Sequence, residues 1–162
     1  VQNPYSLLDR SLEEEMFPFA RALGIGMMAY APLATGLLSG VYAPGVAAPP
    51  GTFWGDRRRD QLDRVLGGQA GTLLAVVREV AERAGATVAQ VALAWVLKHE
   101  EVTTAITGAD SDARLDENLG ALELRLGPDD LEQLDRASAG LALRLDGPEF
   151  PSNYAAGAAP NR

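Results

Sequence analysis

The sequence predicts an α/β fold made of parallel strand–helix–strand units. Strand-like apolar runs alternate with helical patterns along the 162 residues, and that alternation is the signature of parallel pairing. Residues 25–31 are nearly all apolar, as expected of a strand buried on both faces of a parallel sheet. Residues 102–118, VTTAITGADSDARLDEN, read as strand, tight turn and helix. Three strands cannot close a barrel. They form part of one or a small open sheet.

The first strand covers residues 1–8, with Pro4 weakening its later part. Ser11 with Glu14 three residues on predicts a capping box. The helix it opens turns Met16, Phe19, Ala20 and Leu23 toward a core and stops at Gly24. The second strand ends at Pro32. The string GIGMMA at 24–29 fits G-x-G-x-x-A, but its glycines follow a helix and open a strand, the reverse of the dinucleotide fingerprint. Residues 33–69 form a long connection rich in glycine and proline, and connections of that length are usually functional or mobile. Within it, Arg57, Arg58 and Arg59 either touch an anionic ligand or form a solvated charge run beside Asp56 and Asp60.

A helix at 72–84 carries Leu73, Val76, Val77 and Val80 as its apolar stripe and closes at Gly85. A second helix, 87–98, puts Trp95 in the core and leaves His99 at its end, near the negative end of the helix dipole. After the strand at 102–106, Gly108 breaks the run and Asp110, Ser111 and Asp112 form a polar turn. Leu115, Leu119 and Leu122 then mark one side of the next helix. The free N–H groups and positive dipole end at such a helix start can hold an anion such as phosphate, with Arg114, Glu117 and Asn118 within reach. The alternative is an ordinary turn capped by Ser111 or Asp110. Gly127 and Pro128 start a last helix, 129–137, with Leu131 and Leu134 inward. Residues 1–139 are therefore read as the folded unit and 140–162, rich in Gly, Pro and Ala, as an extended tail.

Bulk composition narrows the function. A net charge of −8 without a basic stripe argues against nucleic acid as the main partner. The absence of cysteine excludes thiol chemistry and fits a reducing compartment, so the expected location is cytoplasmic. A single histidine, His99, argues against a zinc site, and no metal is expected. No apolar run approaches the roughly 20 residues of a membrane span, and no membrane partner is expected. The opening VQNPYSLL reads as the inside of an element, so the chain is expected to be a fragment.

Three segments carry a family resemblance: Gln2 with Tyr5 in VQNPYSLL, AYAPLATGLLSGVY at 29–42, and ITGADSDARLDENLGAL at 106–122. With the intervening QVALAWVL in the same order and spacing, the chain resembles the aldo-keto reductases, in look closest to the bacterial reductases and potassium-channel β subunits of that family. The resemblance implies the C-terminal portion of a (β/α)8 barrel, contributing strands six to eight, with the active site at the C-terminal ends of the strands. It implies an NADP(H)-dependent oxidoreductase reducing a small aldehyde or ketone to an alcohol, or else a nucleotide-binding module without catalysis.

By the same likeness, Gln2 would hydrogen-bond the nicotinamide carboxamide and Tyr30 would stack on its ring. Ala31, Pro32, Leu33, Ala34 and Thr35 would line the pyrophosphate path. Gly108, Asp110, Arg114, Glu117 and Asn118 would hold the adenosine and its 2′-phosphate. Two positions depart from the family pattern. Val41 stands where lysine is common, which removes a phosphate contact, and Asp110 stands where serine is common, which leaves NAD possible beside NADP. The family's catalytic Asp, Tyr, Lys and His belong to its first half, and none can be assigned here. Tyr5 and Tyr30 match other motifs.

Overall fold

The computed structural model describes residues 1–143, apart from the side chains of Arg57 and Asp60; residues 144–162 of the expected tail lie outside the described residues. Three strands, β1 (Gln2–Pro4), β2 (Met27–Tyr30) and β3 (Val102–Ile106), form one sheet in that order, and both pairs are parallel. Asn3 pairs with Ala29 and Ala29 with Ala105, while Gln2, Met28 and Thr104 form the adjacent row. The helices are α1 (Met16–Leu23), α2 (Arg59–Leu66), α3 (Gln69–Ala84), α4 (Val88–Leu97), α5 (Asp112–Gly120) and α6 (Pro128–Ser138). The α/β class, the parallel pairing and the three strands are as the sequence predicts.

The sheet is buried on one face, not two. Met27 and Ala29 are fully buried beneath the helices, but Met28 and Ile106 are exposed. Alternation along a strand puts Met28 and Tyr30 on the opposite side from Met27 and Ala29. The apolar run at 25–31 therefore serves a covered face and an open one. The core lies between sheet and helices, where α3 contributes Leu73, Leu74, Val77 and Val80, and α4 contributes Val91, Ala92, Trp95 and Val96. Val76 is only half-buried.

Local chemistry corrects several boundaries. β1 ends at Pro4, and a tight turn follows in which Ser6 and Asp9 exchange backbone hydrogen bonds of 3.2 and 3.0 Å. The expected capping box at Ser11 does not form. Residues Ser11–Glu13 make a single 3-10 turn, the Asp9 carboxylate accepts from the Ser11 N–H, and the buried Ser11 hydroxyl has no partner. Helix α1 starts only at Met16, which rotates Phe19 and Leu23 to solvent and Phe17 into the core. Gly24 closes α1 in a left-handed conformation that costs a glycine little.

The connection at 33–69 is not structureless. It holds a 3-10 turn (Leu37–Ser39), a π-helical segment (Phe53–Arg57) and α2. Thr87 makes the reciprocal cap with Gln90 that fixes the start of α4. The first residues past 139 pack against the start of the chain, since the Leu143 N–H donates to Leu8 O at 2.8 Å and the Arg10 N–H to Leu141 O at 3.0 Å.

Candidate functional site

The three parallel strands end side by side, and the segments that leave them converge at that edge. Tyr30 pairs with Pro4 on one side and Ile106 on the other. The turn at 31–35 therefore lies next to the turn that follows β3. The crevice beyond the carboxyl ends of parallel strands is where α/β folds bind ligands. Gln2 sits on the open face one pleat before Tyr30, and Tyr30 is half-exposed there. A flat aromatic and a side-chain amide thus share the uncovered side of the sheet.

The 31–35 turn departs from ordinary backbone geometry. Ala31, Ala34 and Thr35 have φ of 51°, 49° and 54°, and Gly36 follows at 88°. Non-glycine residues avoid this region, β-branched ones most of all, and each costs on the order of 1–3 kcal/mol. Bonds within the turn and one from a distant side chain hold it in place. Ala34 N–H donates to Ala31 O at 2.8 Å, Gly36 N–H to Leu33 O at 3.0 Å, and the Trp54 indole N–H to Thr35 O at 3.1 Å. Farther along, one guanidinium nitrogen of Arg78 on α3 donates to Gly40 O at 2.8 Å and Tyr42 O at 2.6 Å. Pro32 and Ala34 are buried, whereas Thr35 is exposed.

After β3, Ser111 is the N-cap of α5, accepting from the Arg114 N–H at 3.4 Å. The capped-turn alternative is what the structure contains. Asp110 and Asp112 already supply negative charge at the positive end of α5. The Arg114 guanidinium lies 3.1 Å from the Asp110 carboxylate, and both side chains are largely exposed. Asn118 donates to Gly108 O at 3.3 Å, which ties the first turns of α5 back to the end of the strand. Gln90 of α4 donates to Glu117 O at 3.0 Å. The structure brings Gly108, Asp110, Arg114, Glu117 and Asn118 together around one helix start. Of the basic cluster in the long connection, Arg58 is not part of a solvated charge run. It is buried, donates to Gln61 at 2.8 Å and lies over the Phe53 ring.

A second polar cluster lies on the helix side and was not legible from sequence. The Tyr5 hydroxyl donates to Glu13 at 2.6 Å and meets His99 Nε2 at 2.9 Å. Its single proton goes to Glu13, so Nε2 of His99 is the donor in the second contact. Arg10 grips both Glu13 oxygens at 2.8 and 2.7 Å and lies over the Trp95 ring, whose indole N–H donates to Asp135 at 2.7 Å. Burial and Glu13 push the Tyr5 phenol far above its ordinary range. Burial, then Lys98, holds His99 below the usual imidazole value, so it is neutral near pH 7. Buried and bonded to both Glu13 and His99, the Tyr5 hydroxyl ties the start of the chain to the end of α4. Among the described residues no three His, Cys, Asp or Glu side chains gather as metal ligands, and no single helix is long and apolar enough to cross a membrane.

Comparison with known proteins settles the family. The profile of the Aldo/keto reductase family matches residues 1–139. The chain belongs to the aldo/keto reductases. It is 33% identical over 147 residues to the L-glyceraldehyde 3-phosphate reductase of Escherichia coli O157:H7, covering 89% of this chain and 42% of that protein. It is 31% identical over 134 residues to the NADH-specific methylglyoxal reductase of Escherichia coli K12, covering 80% and 39%. It is 33% identical over 140 residues to a putative voltage-gated potassium channel subunit beta of Schizosaccharomyces pombe, covering 83% and 40%. The chain therefore spans about two fifths of the length of these curated relatives.

Proposed function

We propose that this aldo/keto reductase chain is the cofactor-binding C-terminal portion of a (β/α)8 barrel, in a cytoplasmic NADP(H)-dependent oxidoreductase that reduces aldehydes or ketones to alcohols. Residues 1–139 form the barrel portion and 140–162 its tail. The observation that carries the reading is the convergence at one sheet edge. Tyr30 and Ile106 are paired at the strand ends, so the left-handed turn at 31–35 and the segment leading to α5 leave the same end of the sheet, with Gln2 one pleat back on the uncovered face.

The residues fit a nicotinamide dinucleotide. Tyr30 offers a half-exposed ring on the open face, where stacking leaves one face of a nicotinamide free. Gln2 can both donate to and accept from a carboxamide. The backbone of residues 31–35 can approach a pyrophosphate. Arg114, exposed at the α5 start, suits a 2′-phosphate, and Glu117 and Asn118 suit an adenine edge. Bound there, the cofactor would supply hydride to the carbonyl carbon. The residues of this chain bind and orient it and keep one ring face covered. The proton for the carbonyl oxygen requires a donor outside the residues assigned here.

The test is an assay of the full-length protein for oxidation of NADPH by aromatic and small aliphatic aldehydes, with the alcohol product identified. Steady turnover supports the reductase. Nucleotide binding without turnover favours the second reading, a non-catalytic nucleotide-binding subunit, which the likeness to a channel β subunit supports.

A further inference from the structure

The turn at 31–35 is closed by its own backbone hydrogen bonds and, at the Thr35 carbonyl, by a bond from outside it. The Thr35 side chain is exposed, so its own packing does not keep the backbone left-handed at φ 54°. Its carbonyl accepts from the indole N–H of Trp54, nineteen positions later, at 3.1 Å. Trp54 is buried at 1% exposure. Its own segment fixes it: the Thr52 hydroxyl accepts from the Gly55 N–H and donates to Pro49 O, and the Phe53 and Trp54 rings meet edge to face at 5.5 Å. A rigid donor from the long connection thus reaches the strained residue of the candidate pyrophosphate turn.

We infer that Trp54 is a positioning residue for the nucleotide: its indole N–H holds Thr35 left-handed and so keeps the 31–35 turn in the shape the cofactor requires. The inference rests on the assignment of that turn to the cofactor. A β-branched residue released from such a bond relaxes toward negative φ. Molecules in the relaxed shape must re-form the turn to bind, and apparent affinity falls by the fraction that has relaxed. Glycine carries no penalty at positive φ, so with glycine at position 35 the bond matters less. Linkage is reciprocal, and bound nucleotide must in turn protect the Trp54–Thr35 bond.

The experiment uses the full-length protein and NADP⁺. Trp54→Phe keeps an aromatic ring but removes the donor together with part of the buried indole, and the Thr35→Gly background separates the two effects. The change should weaken NADP⁺ about tenfold, whereas in the Thr35→Gly background the same change should cost threefold or less. A measurement without mutation covers the case in which Trp54→Phe fails to fold. Saturating NADP⁺ should slow hydrogen exchange of the Trp54 indole N–H at least fivefold. The Trp95 indole N–H, bonded to Asp135 in the second cluster, should be unchanged. Equal losses in both backgrounds, or indole exchange indifferent to NADP⁺, would overturn the role of Trp54 while leaving the cofactor site standing. A wild-type protein that binds no nicotinamide nucleotide would overturn both.

Discussion

Asp110 and Arg114 face each other at 3.1 Å across the first turn of α5, so the cation proposed for a 2′-phosphate already has an acidic neighbour. An exposed pair of this kind is worth about 0–1 kcal/mol. A charge-assisted bond to phosphate is worth about 1.5–3 kcal/mol. On these values a bound 2′-phosphate would win the competition, at a discount. Arg114→Ala should therefore weaken NADPH by about tenfold or more and NADH little, and Asp110→Ser should raise the NADPH-to-NADH affinity ratio roughly three- to fivefold. Fluorescence titration with both nucleotides decides it; equal losses for the two in Arg114→Ala would remove the phosphate assignment.

Tyr30 gives the second prediction. Stacking needs the ring and not the hydroxyl. Tyr30→Ala should weaken cofactor binding by about 0.5–1.5 kcal/mol beyond lost area, and Tyr30→Phe should bind nearly as wild type. A Phe variant as damaged as the Ala variant would mean that the hydroxyl carries the contact.

The cluster around Tyr5 predicts a two-step loss of stability in acid. Burial, then Lys98, holds His99 below its ordinary pKa, so the unfolded chain takes up a proton first. The corresponding stability is present above about pH 6.5 and fades as pH falls below it. Burial raises the Glu13 and Asp135 carboxyls, but hydrogen bonds from Arg10 and Tyr5 to the first, and from Lys98 and Trp95 to the second, outweigh it and leave both depressed. Their contribution is present above about pH 4 and lost below it. Melting temperature against pH should show both steps, and His99→Gln should remove only the upper one. An unchanged upper step in that variant would assign it elsewhere.

The chain 1–162 carries exposed apolar side chains on two helices beside an open three-stranded sheet. Leu115 and Leu119 of α5 and Leu122 just after it are 49%, 51% and 58% exposed, and Phe19 and Leu23 of α1 are exposed as well. Open strand edges and patches of this kind drive association. Expressed by itself, the chain should elute as a dimer or larger species and show no aldehyde-dependent NADPH oxidation. A monomer with a cooperative melt would contradict the first expectation, and turnover above a buffer control the second.

These leucines also show where the sequence misleads. Their spacing marks a helical stripe correctly, but nothing in it says whether the partner surface lies within these 162 residues. Helices α3 and α4 were legible because periodic apolar positions, Gly85 and the Thr87–Gln90 cap agree. Helix α2 was missed because its charged residues, RDQLDRVL, mask the apolar trio Leu62, Val65 and Leu66 that it buries. The left-handed turn was invisible because alanine and threonine give no sign of positive φ; Gly36 beside them was the one available cue. The Tyr5 cluster joins residues from four separate stretches, which no local pattern encodes.

The most direct test of the central claim is a crystal structure of the full-length protein with NADP⁺. The account predicts the nicotinamide over the Tyr30 ring with its carboxamide at Gln2, the pyrophosphate along residues 31–35, and the adenosine end between Arg114 and Asn118. Nucleotide bound away from the strand ends, or a Tyr30 ring without a stacked partner, would contradict it.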